Sequence, residues 1–569
     1  GAIETSRKYG AVCVALQDER HMVKDPGMPS EDGILRYRRY LKDEYGSIEA
    51  LNRQWETTHP AWSHVLPTLT ADLTPQTTNL APWVDFRLFV ADEIHQTDIR
   101  RARWVRDELG EETYVGIDGF TTSNHMIPYG GTDIARLLTT GVFNFYCPYD
   151  DDLMISSMVQ GRNVIYIAST MTRNEYFGLP WRGLFRGHAG AFRYNGRTYF
   201  SQFGWVQPPG NWIEEGSREL RHGIGRLLIG AERQFQSVAF LYSYPSILAT
   251  AAAGQWVNPK NTHLMWYPGN QSRLTLEHML LKCGISAFRY LTADQVGAGH
   301  LKDVKFLIIP HLMGMALSDE TCRAIEAFVK DGGLVMADLA PAVCDEHGTP
   351  RERGGLNDLF GITREHLAYT HGEGDYTIRT TVKDPLVPEN AWFTANWFEK
   401  EVRATEGTAL GKQWFVDAPA FISKDSGKGR AILLNMLLPS IVPRKGELDR
   451  YEVELMDRLI QVAGIKPWAT IETRAGISLQ QNYEVNRFKD DGTEYIGIYC
   501  SKSPENPGSV VVRFSDARHT YDVRRGQYLG VVDVAPVPIR GFDGALFARR
   551  DAPIEHIEIR AGDAAPGGE

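Results

Sequence analysis

The sequence predicts an α/β chain of three units. Residues 1–235 read as the C-terminal strands of a partial (β/α)8 TIM barrel, 236–440 as a flavodoxin-like α/β domain, and 441–569 as a linker helix and a small antiparallel β-sandwich. Three observations predict this. Between residues 12 and 193 short apolar runs alternate with helical patterns, the mark of parallel strands joined by crossover helices. From Gln236 a second βα series begins, and beyond Gly464 the pattern becomes alternating strands separated by turns. A chain of 569 residues also exceeds what one core can hold, since single cores stop growing near about 250–300 residues.

Composition narrows the function. Hydrophobic residues at 43% and charged residues at 23% are ordinary globular values, and no apolar run approaches the roughly 20 residues that cross a bilayer, so a membrane partner is not expected. A net charge of −10 and a pI near 5.9 argue against nucleic acid, whose phosphates need a clustered positive footprint. The six cysteines stand singly, without CxxC or Cys/His ligand spacing, so neither a metal nor a disulfide framework is expected. The segment Gly1-Ala2-Ile3-Glu4-Thr5 reads as neither a signal peptide nor a protein's own start, so location is not read there, and a cytoplasmic one is the expectation for the chain as a whole.

The first element is the run Val12-Cys13-Val14-Ala15-Leu16, which stops at Gln17-Asp18-Glu19. A buried strand ending in paired carboxylates is how a barrel delivers an acid to the pocket at its carboxyl end. The other reading open here is a polar loop. After a Pro/Gly-rich loop, Ser30-Glu31-Asp32 introduces a helix over 34–44, and Gly46-Ser47 starts a second one through Trp55. A long helix over 86–109 leads to a strand at 114–118, a helix at 133–138, a strand at 142–146, a helix at 153–159, a strand at 164–169 and a last strand near 191–193. That makes about five of the eight strands a barrel needs, so either the chain is a fragment or another polypeptide supplies the rest.

The run Tyr40-Leu41-Lys42-Asp43-Glu44-Tyr45-Gly46-Ser47-Ile48-Glu49-Ala50-Leu51-Asn52-Arg53-Gln54-Trp55 resembles the segment that follows the fourth barrel strand in family 42 glycoside hydrolases. The domain order and the words at Val238–Ser246 and Tyr521–Gly530 are similar to that family as well. The resemblance implies a retaining hydrolase of β-linked glycosides, β-galactosidase-like and without a cofactor, with a carbohydrate substrate. It implies Glu19 as acid/base and Glu175 as nucleophile, with Trp181 matching the tryptophan that follows the family's nucleophile. The missing strands would then be the first three, supplied by a separate N-terminal segment. In the family an asparagine precedes the acid/base, whereas Asp18 stands here, and a second carboxylate raises its neighbour's pKa. Asp18, Asp118 at the fifth strand's end, Tyr149, Tyr176 and Trp181 are the substrate-binding candidates, with Trp205 and Trp212 as further sugar platforms. Core packing is the alternative for each aromatic. Asp150, Asp151 and Asp152 read as a helix start or a cation site.

The second unit reads as a strand at 237–246 running into a turn, a helix over 274–283, strands at 285–290 and 305–309, a helix over 319–330 and a strand over 334–338. Its resemblance is to the family's amidotransferase-like trimerisation domain, which implies a homotrimer. No amidotransferase chemistry is expected, because Pro310 is followed by His311-Leu312-Met313 where a nucleophilic cysteine would stand. Gly223-Ile224-Gly225 lacks the third glycine of a dinucleotide fingerprint. Strands at 495–499, 510–514, 521–524 and 557–560 form the third unit. The rival to a hydrolase is a catalytically inactive carbohydrate-binding or assembly protein.

Overall fold

The computed structural model describes residues 5, 8, 13–17, 28–74, 76–117, 128, 130–144, 151–159, 164–167, 172–193, 198–257, 267–364, 376–441, 447–502, 510–537, 539 and 541–556. Five strands carry the first unit. β1 (Cys13–Gln17), β2 (Tyr114–Ile117) and β3 (Phe143–Asn144) form one parallel sheet, and β4 (Val164–Ile167) runs parallel to β5 (Gly190–Arg193). Gln17 pairs with Ile117 and Ile117 with Asn144, so three carboxyl ends stop at one level. On β1, Val14 and Leu16 pack on the main core while Ala15 and Gln17 are exposed. A parallel strand is normally covered on both faces, so one face of β1 lacks its cover among the described residues.

The helices follow from their caps. Ser30 accepts from Gly33 N to start α1 (Glu31–Tyr45), and Ser47 accepts from Ala50 N to start α2 (Ile48–Trp55). Of the residues in this run that read as packing, Leu41, Leu51 and Trp55 are buried and Tyr40 and Ile48 half-buried, and together with Tyr37 they pack with Phe86 and Phe89 of α3 (Ala81–Leu109). α4 (Ile134–Thr139), α5 (Asp152–Met158) and α6 (Arg173–Phe185) follow β2, β3 and β4 in turn. After β5 come α7 (Pro208–Glu219), a kinked segment at 220–224 and α8 (Gly225–Gly230).

The second unit is a nine-stranded sheet. β7 (Val238–Tyr242), β8 (Arg289–Thr292), β9 (Phe306–Ile309), β10 (Leu334–Asp338) and a strand at Gly429–Leu434 are mutually parallel in the order β8-β7-β9-β10-then-429. Written by chain position that is 2-1-3-4-5, the flavodoxin-like order. Four antiparallel strands at 376–380, 392–395, 408–413 and 419–426, which the sequence reading did not separate, extend one edge. Tyr244-Pro245-Ser246, expected as a turn, opens α9 (Tyr244–Val257), because a proline in the first helical turn forfeits no intrahelical bond. α10 (Pro268–Lys282) and α11 (Asp319–Lys330) flank the sheet. The linker helix, α12 (Arg450–Val462), buries Leu455, Met456, Leu459 and Ile460 in the same core as Phe240 and Leu276, so it packs as part of this unit.

The C-terminal unit departs from the expected sandwich. Its strands make one hydrogen-bonded sheet in the path 469–473, 510–522, 543–550, 493–500, 483–490 and β6 (Glu232–Arg233), with 527–536 on the other side of 510–522. Strand 510–522 breaks register between Arg513 and Arg518 and pairs with 469–473 along one half and with 543–550 along the other. That bulge folds a single sheet over its own core of Ile471, Val485, Ile498, Val512 and Phe547. The expected strand at 557–560 lies outside the described residues, and the strands at 469–473, 483–490, 527–536 and 543–550 are ones the sequence reading did not separate. β6 ties the end of the first unit into this sheet, with Arg233 opposite Phe488.

Candidate active site

Parallel strands bring their carboxyl ends to one face, where β1 leads into Asp18 and Glu19, β2 into Asp118 and β3 towards Tyr149. Those four candidates lie outside the described residues. The segment after β4 leads to Glu175, which is described.

Glu175 sits at the third position of α6 rather than in a loop. Thr172 opens that helix, and the pair forms a reciprocal cap: Thr172 N and Oγ1 donate to Glu175 Oε2 at 2.7 and 2.8 Å, while Glu175 N donates to Thr172 Oγ1 at 3.4 Å. Oε1 takes no part in the cap. The signal was in the sequence, since Thr-x-x-Glu is a helix-start signature, but the sequence reading took Glu175 as a carboxylate in the loop after the strand.

Glu175 also borders a cavity of about 690 Å³ between α6, α10 and the C-terminal sheet. Arg182, His278, Lys282, Glu484 and Lys502 share its wall. His278 Nδ1 lies 2.8 Å from the Leu274 carbonyl, which can only accept, so Nδ1 carries the proton and Nε2 is left as an acceptor. Burial pushes this imidazole down to about 4 and lowers the Lys282 ammonium, whose Nζ donates to Gln481 O at 2.9 Å. Of these wall residues only Glu175 was legible as a site residue, because His278, Lys282, Glu484 and Lys502 come from other units, about a hundred or more positions away.

Two aromatic candidates are core residues. Tyr176, 1% exposed, packs with Leu179, Tyr199 and Ile213. Trp181, also 1% exposed, packs against Phe185 while the Arg524 guanidinium lies 4.4 Å from its ring centroid. Neither offers an open face to a sugar. Trp212 is half-buried against Tyr176, whereas Trp205, in the connection after β5, is 74% exposed.

The expected helix start is there, with Asp151 at the N-cap of α5 and Asp152 its first residue, but Asp151 makes no side-chain cap bond, and Asp150 lies outside the described residues. Asp152 accepts from Arg186 at 2.5 and 2.6 Å, and Asp151 accepts from Arg273 Nη2 at 2.9 Å, all of these groups being buried. Arg186 also grips Glu484 of the C-terminal sheet, and Arg273 grips Glu277 at 2.6 Å within α10. Burial raises the Glu277 carboxyl to about 7 despite Arg273. These ion pairs fasten the wall of the cavity to all three units. Among the described residues no cluster of His, Cys, Asp and Glu could hold a metal, and no helix is long and apolar enough to cross a membrane.

No family model matches the sequence, and no curated protein matches it significantly. Solved structures do. The beta-galactosidase from Bacillus circulans sp. alkalophilus superposes with a TM-score of 0.71 at 14% identity, over 96% of this chain and 81% of that one. A beta-galactosidase from Rahnella sp. R3 gives 0.67 at 15% identity over 93% and 78%. A catalytic mutant of a GH42 beta-galactosidase from G. stearothermophilus gives 0.65 at 14% identity over 90% and 75%. Matched along nearly its whole length by enzymes of one architecture, the chain has the fold of the family 42 glycoside hydrolases.

Proposed function

We propose that the protein is a retaining glycoside hydrolase of β-linked, galactoside-like substrates. Supporting this is the parallel register of β1 and β2, which ends both strands at one level just before Asp18-Glu19 and Asp118 in a fold shared with β-galactosidases. Glu19 gives its proton to the glycosidic oxygen as the bond to the anomeric carbon breaks. Glu175 attacks that carbon through Oε1, its Oε2 being held by Thr172. Water then displaces Glu175 as Glu19 takes its proton back, which requires the two carboxyl groups about 5–5.5 Å apart. Asp18 and Asp118 contact the sugar hydroxyls, and Trp205 supplies the open aromatic platform. In this reading three further parallel strands, from an N-terminal segment, cover the exposed face of β1, and the flavodoxin-like unit makes a homotrimer.

The test is turnover of chromogenic glycosides by the wild type beside Glu19→Gln. Turnover lost in the variant is expected, most severely with poor leaving groups, which depend on proton donation. Full activity of the variant on those substrates would refute the assignment.

One observation favours a second reading. The stretch from Ala168 to Asn174 contains no carboxylate, and the first one after β4 is committed to a helix cap. A protein that binds β-galactosides without hydrolysing any of them would establish the inactive, carbohydrate-binding alternative.

A further inference from the structure

His188 is 1% exposed, yet neither of its ring nitrogens has a hydrogen-bond partner among the described residues. Leaving a buried polar group unsatisfied is costly, so the ring is held where it is by the packing around it. It lines a cavity of about 770 Å³, within the range of about 300–1,000 Å³ typical of small-molecule sites. The walls are mostly apolar, with Leu184 of α6 on one side and Leu220 and Ile229 on the other. At the rim stand two arginines. Arg221 is paired with Glu214, whereas Arg226 is exposed and takes part in no hydrogen bond or ion pair among the described residues.

The wall opposite α6 is shaped by a break. Between α7 and α8 the helix is interrupted at His222 and Gly223, where Gly223 takes φ 137°, a conformation closed to most side chains. The cavity also touches Ala189 and Gly190, at the start of β5, so it lies at the amino ends of the parallel strands, away from the candidate active site. It serves no step of the proposed hydrolysis.

We propose that this cavity is a second ligand site, taking a small carboxylate with an apolar, ring-sized body and a further polar atom. The carboxylate pairs with Arg226 at the mouth, the body lies against Leu184, Leu220 and Ile229, and the inner polar atom reaches the His188 imidazole. Burial, reinforced by Arg233, Arg186 and Arg182 and opposed by Asp152, pushes His188 down to about 4, so at neutral pH one ring nitrogen donates and the other accepts. A hydroxyl satisfies either.

Titration calorimetry of the full chain with 4-hydroxyphenylacetate, and separately with its neutral amide, tests the site. Saturable binding of the acid is expected with a Kd below about 1 mM. Arg226→Gln, at an exposed position that folding does not need, is expected to weaken the acid about tenfold, the scale of one charge-assisted pair, and to leave the amide unchanged. His188→Phe fills the floor with a ring that cannot hydrogen-bond and is expected to weaken both ligands. Should that variant not fold, the His188 ring-nitrogen NMR signals of the wild type are expected to move on adding the acid. Absence of saturable binding, as when another polypeptide segment fills the cavity, would overturn the proposal. So would an Arg226→Gln variant that binds the acid as tightly as the wild type, or His188 signals that stay still.

Discussion

Arg186 of α6 and Glu484 of the C-terminal sheet face each other through two parallel hydrogen bonds, Nε to Oε2 at 2.8 Å and Nη2 to Oε1 at 2.7 Å. Because the same guanidinium holds Asp152, one buried cation satisfies two buried carboxylates from different parts of the chain. Replacing it with methionine strands both. Breaking a buried pair from one side costs about 3–5 kcal/mol, so Arg186→Met is expected to lower the denaturant midpoint sharply. Burial raises the carboxyls of Asp152 and Glu484, but Arg186 and Arg182 more than reverse this and hold both below the ordinary range. A depressed carboxyl contributes stability above its unfolded pKa and loses it as pH falls through the folded one, so wild type and variant should converge below about pH 4. A midpoint unchanged at pH 7 would show that the network contributes nothing.

His347 tests the opposite sign. Burial alone would lower its pKa, but the hydrogen bond from Nδ1 to Asp85 Oδ1 at 2.7 Å, with the charges of Asp85, Asp345 and Glu346, raises it to about 9. Asp85 also accepts from Tyr45 at 2.5 Å and Trp55 at 2.7 Å, so the pair locks the helices of the first unit to a loop of the second. A raised histidine contributes its stability in full below its unfolded value near 6.5 and loses it as pH rises through about 9. The shift corresponds to at most about 3 kcal/mol. Urea midpoints of wild type and His347→Gln should differ most at pH 6 and least at pH 10. A difference constant across that span would remove the charge from the explanation.

Glu175→Gln separates the cap from the chemistry. Glutamine also serves at the third position of a capping box, so stability should change by less than about 1 kcal/mol. A nucleophile cannot be replaced so. Turnover should fall by at least about a thousandfold if Glu175 attacks the anomeric carbon. Retained turnover would leave Glu175 as a cap alone.

The homotrimer is tested by light scattering. Trp392, Trp414, Phe415 and Val416 are exposed together at the antiparallel edge of the nine-stranded sheet, with Arg379 lying about 5 Å from both indoles. Aromatics and arginine are the residues interfaces concentrate. A mass three times the 64.0 kDa of the chain is expected, and Trp392→Asp with Trp414→Asp should lower it. A wild-type mass of 64.0 kDa at micromolar concentration would refute the trimer.

The sequence by itself determined most of the helices and the apolar parallel strands. Helices at 31–45, 48–55, 319–330 and 450–462 announce themselves through Ser30, Ser47, Ser318 and Asp449, each of which satisfies a backbone donor within a few residues. The parallel βα character of the second unit was legible because runs such as Phe306–Ile309 and Leu334–Asp338, buried on both faces, are apolar throughout, whereas the order of its strands was not. Only the tertiary structure decided what the charged and aromatic residues do. Trp181 and Tyr176 look alike in sequence whether they stack on a sugar or on a core. Asp151 and Asp152 look like a cap or a cation site until Arg273 and Arg186 arrive from positions 122 and 34 residues away. The same holds for Glu484, which meets Arg186 across 298 residues. Local patterns encode backbone hydrogen bonding and burial, which act over a few residues. Partnership between charges is set by which distant surfaces meet, and no local pattern carries it.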